Sequence, residues 1–405
     1  MEQHGSTLIL LTLIYLMAYC TLPVQGRAIA VTMALVPAAR FWPDCERKFY
    51  AFPHPVHRVS RRAGCPAEAV MITEAPLEPQ RLLDWLHDTY GLACQHLSFI
   101  PAGECAWCYR LEDSHGTPYL LKLSRGGLCS HPPINERTIR AVQALYYEFG
   151  ITQMPPPPLR GSTGQHVNHY ERYTVVLLPY IDGTPARHTT LEERHQRQLG
   201  ALLGRIHRAK LHPRERPPVE DFSPELPARL RRLLDEVISP TRRYADYHLK
   251  FLQVLQRARP LIETRLAEWL RLQKVLRHDA GLQADFVVCH GDPTPGNLIL
   301  TPDDSLTLID WDAPLFAPRE RDLIFVLDNA PALESYRSAG GEVALRPEIV
   351  HFYRLQFELQ AIVDFGTRIL FRRQHKAQNK HDVLALLAHL RGSGLVPAGG
   401  LPATD

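Results

Sequence analysis

The chain has 405 residues, 45% of them hydrophobic and 22% charged, a composition that excludes a wholly disordered or collagen-like protein. That length exceeds a single compact core and predicts a two-lobed unit or two domains. With 46 basic and 43 acidic residues the formal net charge is +3, too balanced for a dedicated nucleic-acid binder.

Residues 8–22 (LILLTLIYLMAYCTL) form an apolar run, followed by Arg27 and the small-x-small triplet Ala28-Ile29-Ala30. A secretory signal is one reading, although the leader contains Glu2 and no Lys or Arg. A membrane anchor is a second, although the run is shorter than the ~20 residues that span a bilayer comfortably. Arg27 and the basic stretch 40–62 would then hold the remainder in the cytoplasm. In a third reading, residues 1–70 are a poorly structured extension and Met71 is the working start, because a clean amphipathic pattern begins only there. Membrane contact is expected only through residues 8–22.

From Met71 onward the elements follow in order. A helix is predicted near residues 79–90, with Leu82, Leu83, Trp85 and Leu86 on one face. Residues 97–124 read as three strands, LSFIPAG, AWCYRLE and PYLLKLS, separated by Gly103 and by the turn Asp113-Ser114-His115-Gly116; an antiparallel meander follows. Asn135 is placed to cap a helix that ends near Phe149 at Gly150. Residues 155–158 are all proline and predict an extended connection. Residues 173–179 (YTVVLLP) form a further strand that runs into the turn Tyr180-Ile181-Asp182-Gly183, where the lobe boundary is expected. Beyond it Leu199, Leu202, Leu203 and Ile206 repeat at helical spacing, as do Leu261, Ile262, Leu266, Trp269 and Leu270, and later Phe352, Leu355, Leu359 and Ile362. Short apolar runs at 286–289 and 306–309 read as strands inside this helical part.

The eight cysteines, at 20, 45, 65, 94, 105, 108, 129 and 289, lack the paired spacing of a disulfide framework, and a reducing compartment is the simpler reading. Cys105-Ala-Trp-Cys108 has C-x-x-C spacing, but no second pair follows to complete a metal site.

Chemistry concentrates in 288–300, VCHGDPTPGNLIL, which reads as strand, polar loop, strand. Asp292 is followed five positions later by Asn297, the spacing of a kinase catalytic loop. Phosphoryl transfer needs a carboxylate to orient the attacking hydroxyl and a neutral oxygen nearby to help hold a metal ion on the phosphates. The next strand ends in Leu308-Ile309-Asp310-Trp311-Asp312, which sets Asp310 to bind magnesium through a hard oxygen. Either Asp alone would read as a turn residue; together, with Asn297 and two flanking strands, they read as a site.

HGDPTPGN followed by LIDWD resembles the signature of the aminoglycoside phosphotransferase family, relatives of choline kinases and protein kinases. The continuation APLFAPRERDL at 313–323 resembles the spectinomycin phosphotransferase branch. The resemblance extends over about residues 71–370 in element order. It implies an α+β, protein-kinase-like, two-lobed fold, with a small antiparallel-sheet lobe at 71–182 that binds nucleotide and a larger, mostly helical lobe at 183–405 that carries the catalytic loop and acceptor site. It further implies ATP and Mg²⁺ as cofactors, Asp292 as the catalytic Asp, His290 as a buttress, Asn297 and Asp310 as metal ligands, and Asp322 as a brace for the loop backbone. Lys122 matches the strand lysine that contacts ATP phosphates, and Glu136 is its expected helix partner. The loop 101–107 has one glycine, Gly103, at the phosphate-covering position, and Tyr180 and Ile181 would form the adenine hinge. The acceptor would be a hydroxyl of an aminoglycoside, an aminocyclitol or a small metabolite of the choline, homoserine or methylthioribose type, and the setting cytoplasmic or the cytoplasmic face of a membrane. A cationic acceptor would call on Glu334, Glu358 or Asp364. A catalytically silent nucleotide-binding regulator is the alternative from another class.

Overall fold

Alternating apolar residues build the first layer. After helix α1 (Pro79–Tyr90) come β1 (Ser98–Ile100), β2 (Ala106–Glu112) and β3 (Pro118–Ser124), and β4 (Asn168–Tyr170) and β5 (Tyr173–Pro179) complete a five-stranded sheet of order β1-β2-β3-β5-β4. Every neighbouring pair is antiparallel, as the meander predicts. Period-two alternation places Trp107, Tyr109, Leu111, Leu121, Leu123, Tyr173, Val175 and Leu177 in one core, closed by Leu82, Leu83 and Leu86 of α1. In the register of β3, Lys122 stands opposite Cys108 and Val176. This structure is a computed structural model that describes residues 70–126, 134–222, 225–241, 244–279, 281–372 and 375–396. The readings for residues 1–69, among them the apolar run, lie outside the described residues.

Helix α2 (Glu136–Gln143) starts where expected: Asn135 Oδ1 accepts from the N–H groups of Arg137 and Thr138, and Thr138 Oγ1 accepts from Asn135 N–H. It then widens into a π turn at Ala144–Glu148, which periodicity did not foretell, and stops before Gly150, whose φ is +61°. Its residues Ala141, Val142 and Leu145 pack away from the sheet, in a second core with the elements that follow.

Those elements are β6 (Thr184–Pro185), α3 (Glu193–Arg208), α4 (Leu226–Ile238), α5 (Asp246–Arg277), β7 (Val287–Cys289), β8 (Leu298–Leu300), β9 (Leu306–Leu308), β10 (Leu315–Ala317), α6 (Glu320–Leu323), α7 (Ala330–Ser338), α8 (Pro347–Phe371) and α9 (Lys376–Gly392). The short strands pair as β6-β8-β9 and β10-β7. The second core joins α3 and α7 to Val288, Leu298 and Leu308 of these strands. Gly204 permits the close approach of the two helices, since a Cβ there would sit 2.8 Å from Tyr336 O. A third core is mostly helical: Trp269 of α5 stacks on Phe352 of α8 at 5.2 Å, and the same cluster takes in Leu233 of α4 and Leu386 of α9. The whole is α+β, a small antiparallel sheet followed by a larger helical part.

Two expectations need correction. Leu261 points to solvent at 38% exposure, because Pro260 sits inside α5 without ending it and the buried stripe runs through Ile262, Leu266 and Trp269 instead. The thiols are not all reduced: Cys105 is disulfide-bonded, whereas Cys108 is a free, buried thiol, so the two C-x-x-C cysteines are not joined to each other.

Candidate active site

The loop between β7 and β8 is held from beneath by Asp322, a carboxylate with 0% exposure on α6. Its Oδ2 accepts from His290 N–H at 2.9 Å and its Oδ1 from Gly291 N–H at 2.6 Å, while His207 Nε2 lies 3.1 Å from Oδ2. Burial alone would raise the proton affinity of this carboxyl; His207, His290 and the loop N–H groups outweigh it and hold the pKa below the usual range. Asp322 therefore stands ionised beneath the backbone of this loop. Gly291, with φ +94°, lets the loop turn tightly above Arg321, whose Nη2 would meet a Cβ there at 2.7 Å.

His290 is buried at 4% exposure and sits edge-on to Trp311. Burial lowers its pKa, so the ring is neutral. The hydrogen-bond pattern assigns the tautomer: Nε2–H donates to Ile309 O at 2.9 Å and Nδ1 accepts from Asp292 N–H at 3.2 Å. One ring thus ties the β7–β8 loop to the segment that follows β9, a structural role.

Asp292 and Asn297 converge. Asn297 Nδ2 donates to Asp292 O at 2.9 Å and to Asp292 Oδ2 at 2.8 Å. Among the described residues nothing donates a hydrogen bond to Asp292 Oδ1, which is buried. Burial, and then the negative charges of Glu104 and Asp310, push the Asp292 pKa up to about 7, against the opposing pull of Thr294 and Asn297. Asp310 follows β9 with φ +68°, a left-handed conformation that a non-glycine residue rarely holds and that turns the chain sharply after Ile309.

Lys122 reaches across from β3 to 2.6 Å from Asp310 Oδ1 and 2.7 Å from Asp312 Oδ2. Burial would lower its proton affinity, and the two carboxylates more than reverse this, so the ammonium stays charged. The expected partner Glu136 does not meet it. Glu136 instead accepts from the N–H groups of His166 and Val167 at 2.7 and 2.9 Å and from His166 Nδ1 at 3.0 Å. The start of α2 is thereby fastened to the segment before β4, which carries the carboxylate away from Lys122.

Gly103 lies in the β1–β2 loop, where a side chain would overlap the Ala106 carbonyl, and its own carbonyl accepts from Met71 N–H at 2.8 Å. Tyr180 departs from the hinge expectation in one respect: its N–H is taken by Pro118 O at 3.2 Å, and its ring lies under the Arg110 guanidinium. Ile181 lies two residues beyond the end of β5. Of the three carboxylates considered for a cationic acceptor, Glu334 pairs with Arg197 on the surface, Glu358 with Arg265 and Asp364 with Arg229.

Three contributors escaped the sequence reading. His207 completes the Asp322 brace, and its Nδ1 meets Tyr336 OH at 2.9 Å; its place four residues after Leu203 on the buried stripe of α3 was the available signal. Asp312 was visible within LIDWD but unassigned. Glu104, adjacent to Gly103, acts on Asp292 only through folding.

Hard oxygens dominate the arrangement. Asp310 and Asp312 supply carboxylates, and Asn297, bonded through its Nδ2, keeps a neutral amide oxygen, a donor set that fits Mg²⁺. Among the described residues, no helix is long and apolar enough to cross a membrane.

The model of the phosphotransferase enzyme family matches residues 96–358. Protein StrN of Streptomyces griseus is 28% identical over 288 residues, covering 67% of this chain and 79% of that protein. Among solved structures, spectinomycin phosphotransferase APH(9)-Ia in complex with ADP and spectinomycin superposes with a TM-score of 0.62 at 20% identity, covering 80% of this chain and 100% of that one. Amicoumacin kinase hAmiN, in complex with AMP-PNP and Ca²⁺, gives 0.52 at 15% identity, covering 80% and 96%. At these identities the structural likeness is one of fold.

Proposed function

Because the chain belongs to the phosphotransferase enzyme family, we propose that it moves the γ-phosphoryl group of ATP to a hydroxyl of a small molecule such as an aminoglycoside or aminocyclitol. One observation carries this reading: Asp292 has one carboxylate oxygen fixed by Asn297 and the other buried without a hydrogen-bond partner among the described residues, beside the Lys122–Asp310–Asp312 cluster. An oriented carboxylate with one spare acceptor is what an attacking hydroxyl requires.

In this reading Oδ1 of Asp292 accepts the hydrogen bond of the acceptor hydroxyl, directing the oxygen lone pair at the γ-phosphorus and receiving its proton as the new O–P bond forms and the bond from that phosphorus to the β,γ-bridging oxygen breaks, ADP leaving with the electron pair. Lys122 neutralises phosphate charge, Gly103 lets the β1–β2 loop close over the phosphates, and backbone groups near Tyr180 and Ile181 receive the adenine. Asn297 and Asp310, joined by Asp312, would hold Mg²⁺, which when bound would neutralise charge on the phosphate oxygens. Residues 71–182 would bind nucleotide, and residues 183–405 would supply the catalytic loop and the acceptor site. Positioning and charge neutralisation supply most of the rate, so the rigidity of the Asp322 brace matters as much as the reacting groups.

The test is a phosphate-transfer screen with the full chain, Mg²⁺ and γ-labelled ATP over aminocyclitols, aminoglycosides and small amino alcohols. Label appearing on one acceptor class supports the reading and names the substrate. A folded chain that binds ATP and labels no acceptor would instead support a regulator.

A further inference from the structure

The β1–β2 loop is fastened to the far end of the chain. Arg368 of α8 is 1% exposed, and its Nη1 lies 3.2 Å from Glu104 Oε1 while its Nε lies 3.3 Å from Asp382 Oδ2 of α9. Asp382 is equally buried and accepts from Gln378 Nε2 at 3.0 Å. Gln378, also 1% exposed, grips the strand-like stretch 70–72 from both sides, accepting from Ile72 N–H at 2.7 Å and donating to Val70 O at 2.9 Å. Between these two contacts Met71 N–H donates to Gly103 O at 2.8 Å, within the same loop as Glu104. Trp107, where β2 begins, donates through Nε1 to Thr73 O at 3.0 Å.

A buried guanidinium between carboxylates of separate elements is costly unless every contact is kept, so such a network fixes one arrangement of the parts it joins. The parts joined here are the loop expected to cover the phosphates and the last two helices. The Glu104 charge also acts on Asp292, which puts the loop within electrostatic reach of the catalytic segment.

We propose that Arg368 is a positioning residue for phosphoryl transfer: it holds Glu104, and with Gln378 and the 70–72 strap it clasps the β1–β2 loop closed over the catalytic segment. Glu104 is the releasable half of the clasp. Its side chain is 41% exposed, whereas Arg368 and Asp382 are both buried and paired with each other, so the loop end can let go without stranding a buried charge. Nucleotide would then bind to a loop already held by α8 and α9, and the strength of that hold sets ATP affinity. This inference rests on the phosphotransferase reading for its consequence, but the clasp itself does not.

Glu104→Gln is the decisive variant, because it weakens the loop contact and leaves the Arg368–Asp382 pair intact; Arg368→Lys is the companion that keeps charge and loses the fork. Two measurements on the full chain separate the clasp from the function, both with reductant present so that the Cys105 disulfide does not hold the loop instead. Hydrogen exchange of the amides at 101–107 without nucleotide is expected to quicken about tenfold in Glu104→Gln, as for loss of one partly exposed charge-assisted contact. In steady-state kinetics the KM for ATP is expected to rise about tenfold, a change that a general loss of fold, which lowers the active fraction and so kcat, does not produce. Loop exchange and KM both equal to the parent in Glu104→Gln would overturn the clasp. Quickened loop exchange in a chain whose parent neither binds nor consumes ATP would leave the clasp standing and overturn the kinase reading.

Discussion

Replacing Asp322 with Asn tests whether the catalytic loop is held as described. The carboxylate accepts three hydrogen bonds, at 2.6, 2.9 and 3.1 Å, and has no exposure. An amide keeps one acceptor oxygen and turns an NH₂ group towards a donor, so at least one loop N–H is left buried and unsatisfied, and the His207 contact loses its charge. Loss of a charge-assisted bond to a buried carboxylate costs about 1.5–3 kcal/mol, and with more than one contact weakened about 3–5 kcal/mol in all is expected. Against a total stability of about 5–15 kcal/mol the variant remains folded but weakened. A loop displaced by about 1 Å costs about a hundredfold in kcat. Urea unfolding and steady-state kinetics of Asp322→Asn together read both effects, with ATP affinity expected within about threefold of the parent because Lys122 is untouched. Parental unfolding midpoint and parental kcat in this variant would refute the argument that Asp322 holds the loop.

Three further outcomes are expected. Lys122→Ala should raise the KM for ATP about tenfold or more and lower kcat, since Asp310 and Asp312 then face each other without their shared cation; kinetics over a range of ATP concentrations reads this. Glu136→Gln should lower stability by about 1–3 kcal/mol in urea unfolding yet keep kcat within about twofold, because Glu136 anchors His166 and Val167 rather than Lys122; a large loss of kcat at unchanged stability would restore the ion-pair role. Glu358, 12% exposed, has its pKa raised by burial from 4.5 to about 7, so it binds its proton more tightly when folded, and the stability this contributes below pH 4.5 is lost as pH rises to about 7. Glu358→Gln should therefore gain on the parent between pH 5 and pH 8, by up to about 3 kcal/mol, in unfolding measured at both pH values.

How far the sequence foretells this protein depends on which residues speak locally. Helix α1, the three meander strands and β5 appear at the expected positions because their apolar spacing and turn residues are short-range signals. HGDPTPGN and LIDWD mark the loop because the reaction demands particular groups within a few residues of one another. Glu136 was misread because the helix start it opens could be found from Asn135, whereas the direction of its carboxylate depends on where the chain at 166–167 returns, thirty residues later. The π turn of α2 has apolar residues at ordinary helical spacing and so carries no distinctive period. Arg368, Gln378 and Asp382 carry no local sign of their burial, because the strap at 70–72 and Glu104 that meet them come from the other end of the described chain.

The most direct test of the account is γ-phosphoryl transfer from ATP by the parent and by Asp292→Ala, with ATP binding measured in parallel. The account predicts transfer to an acceptor hydroxyl by the parent, a loss of about 10²–10⁴-fold in kcat for the variant, and little change in ATP affinity. Turnover by Asp292→Ala within a few-fold of the parent would contradict it.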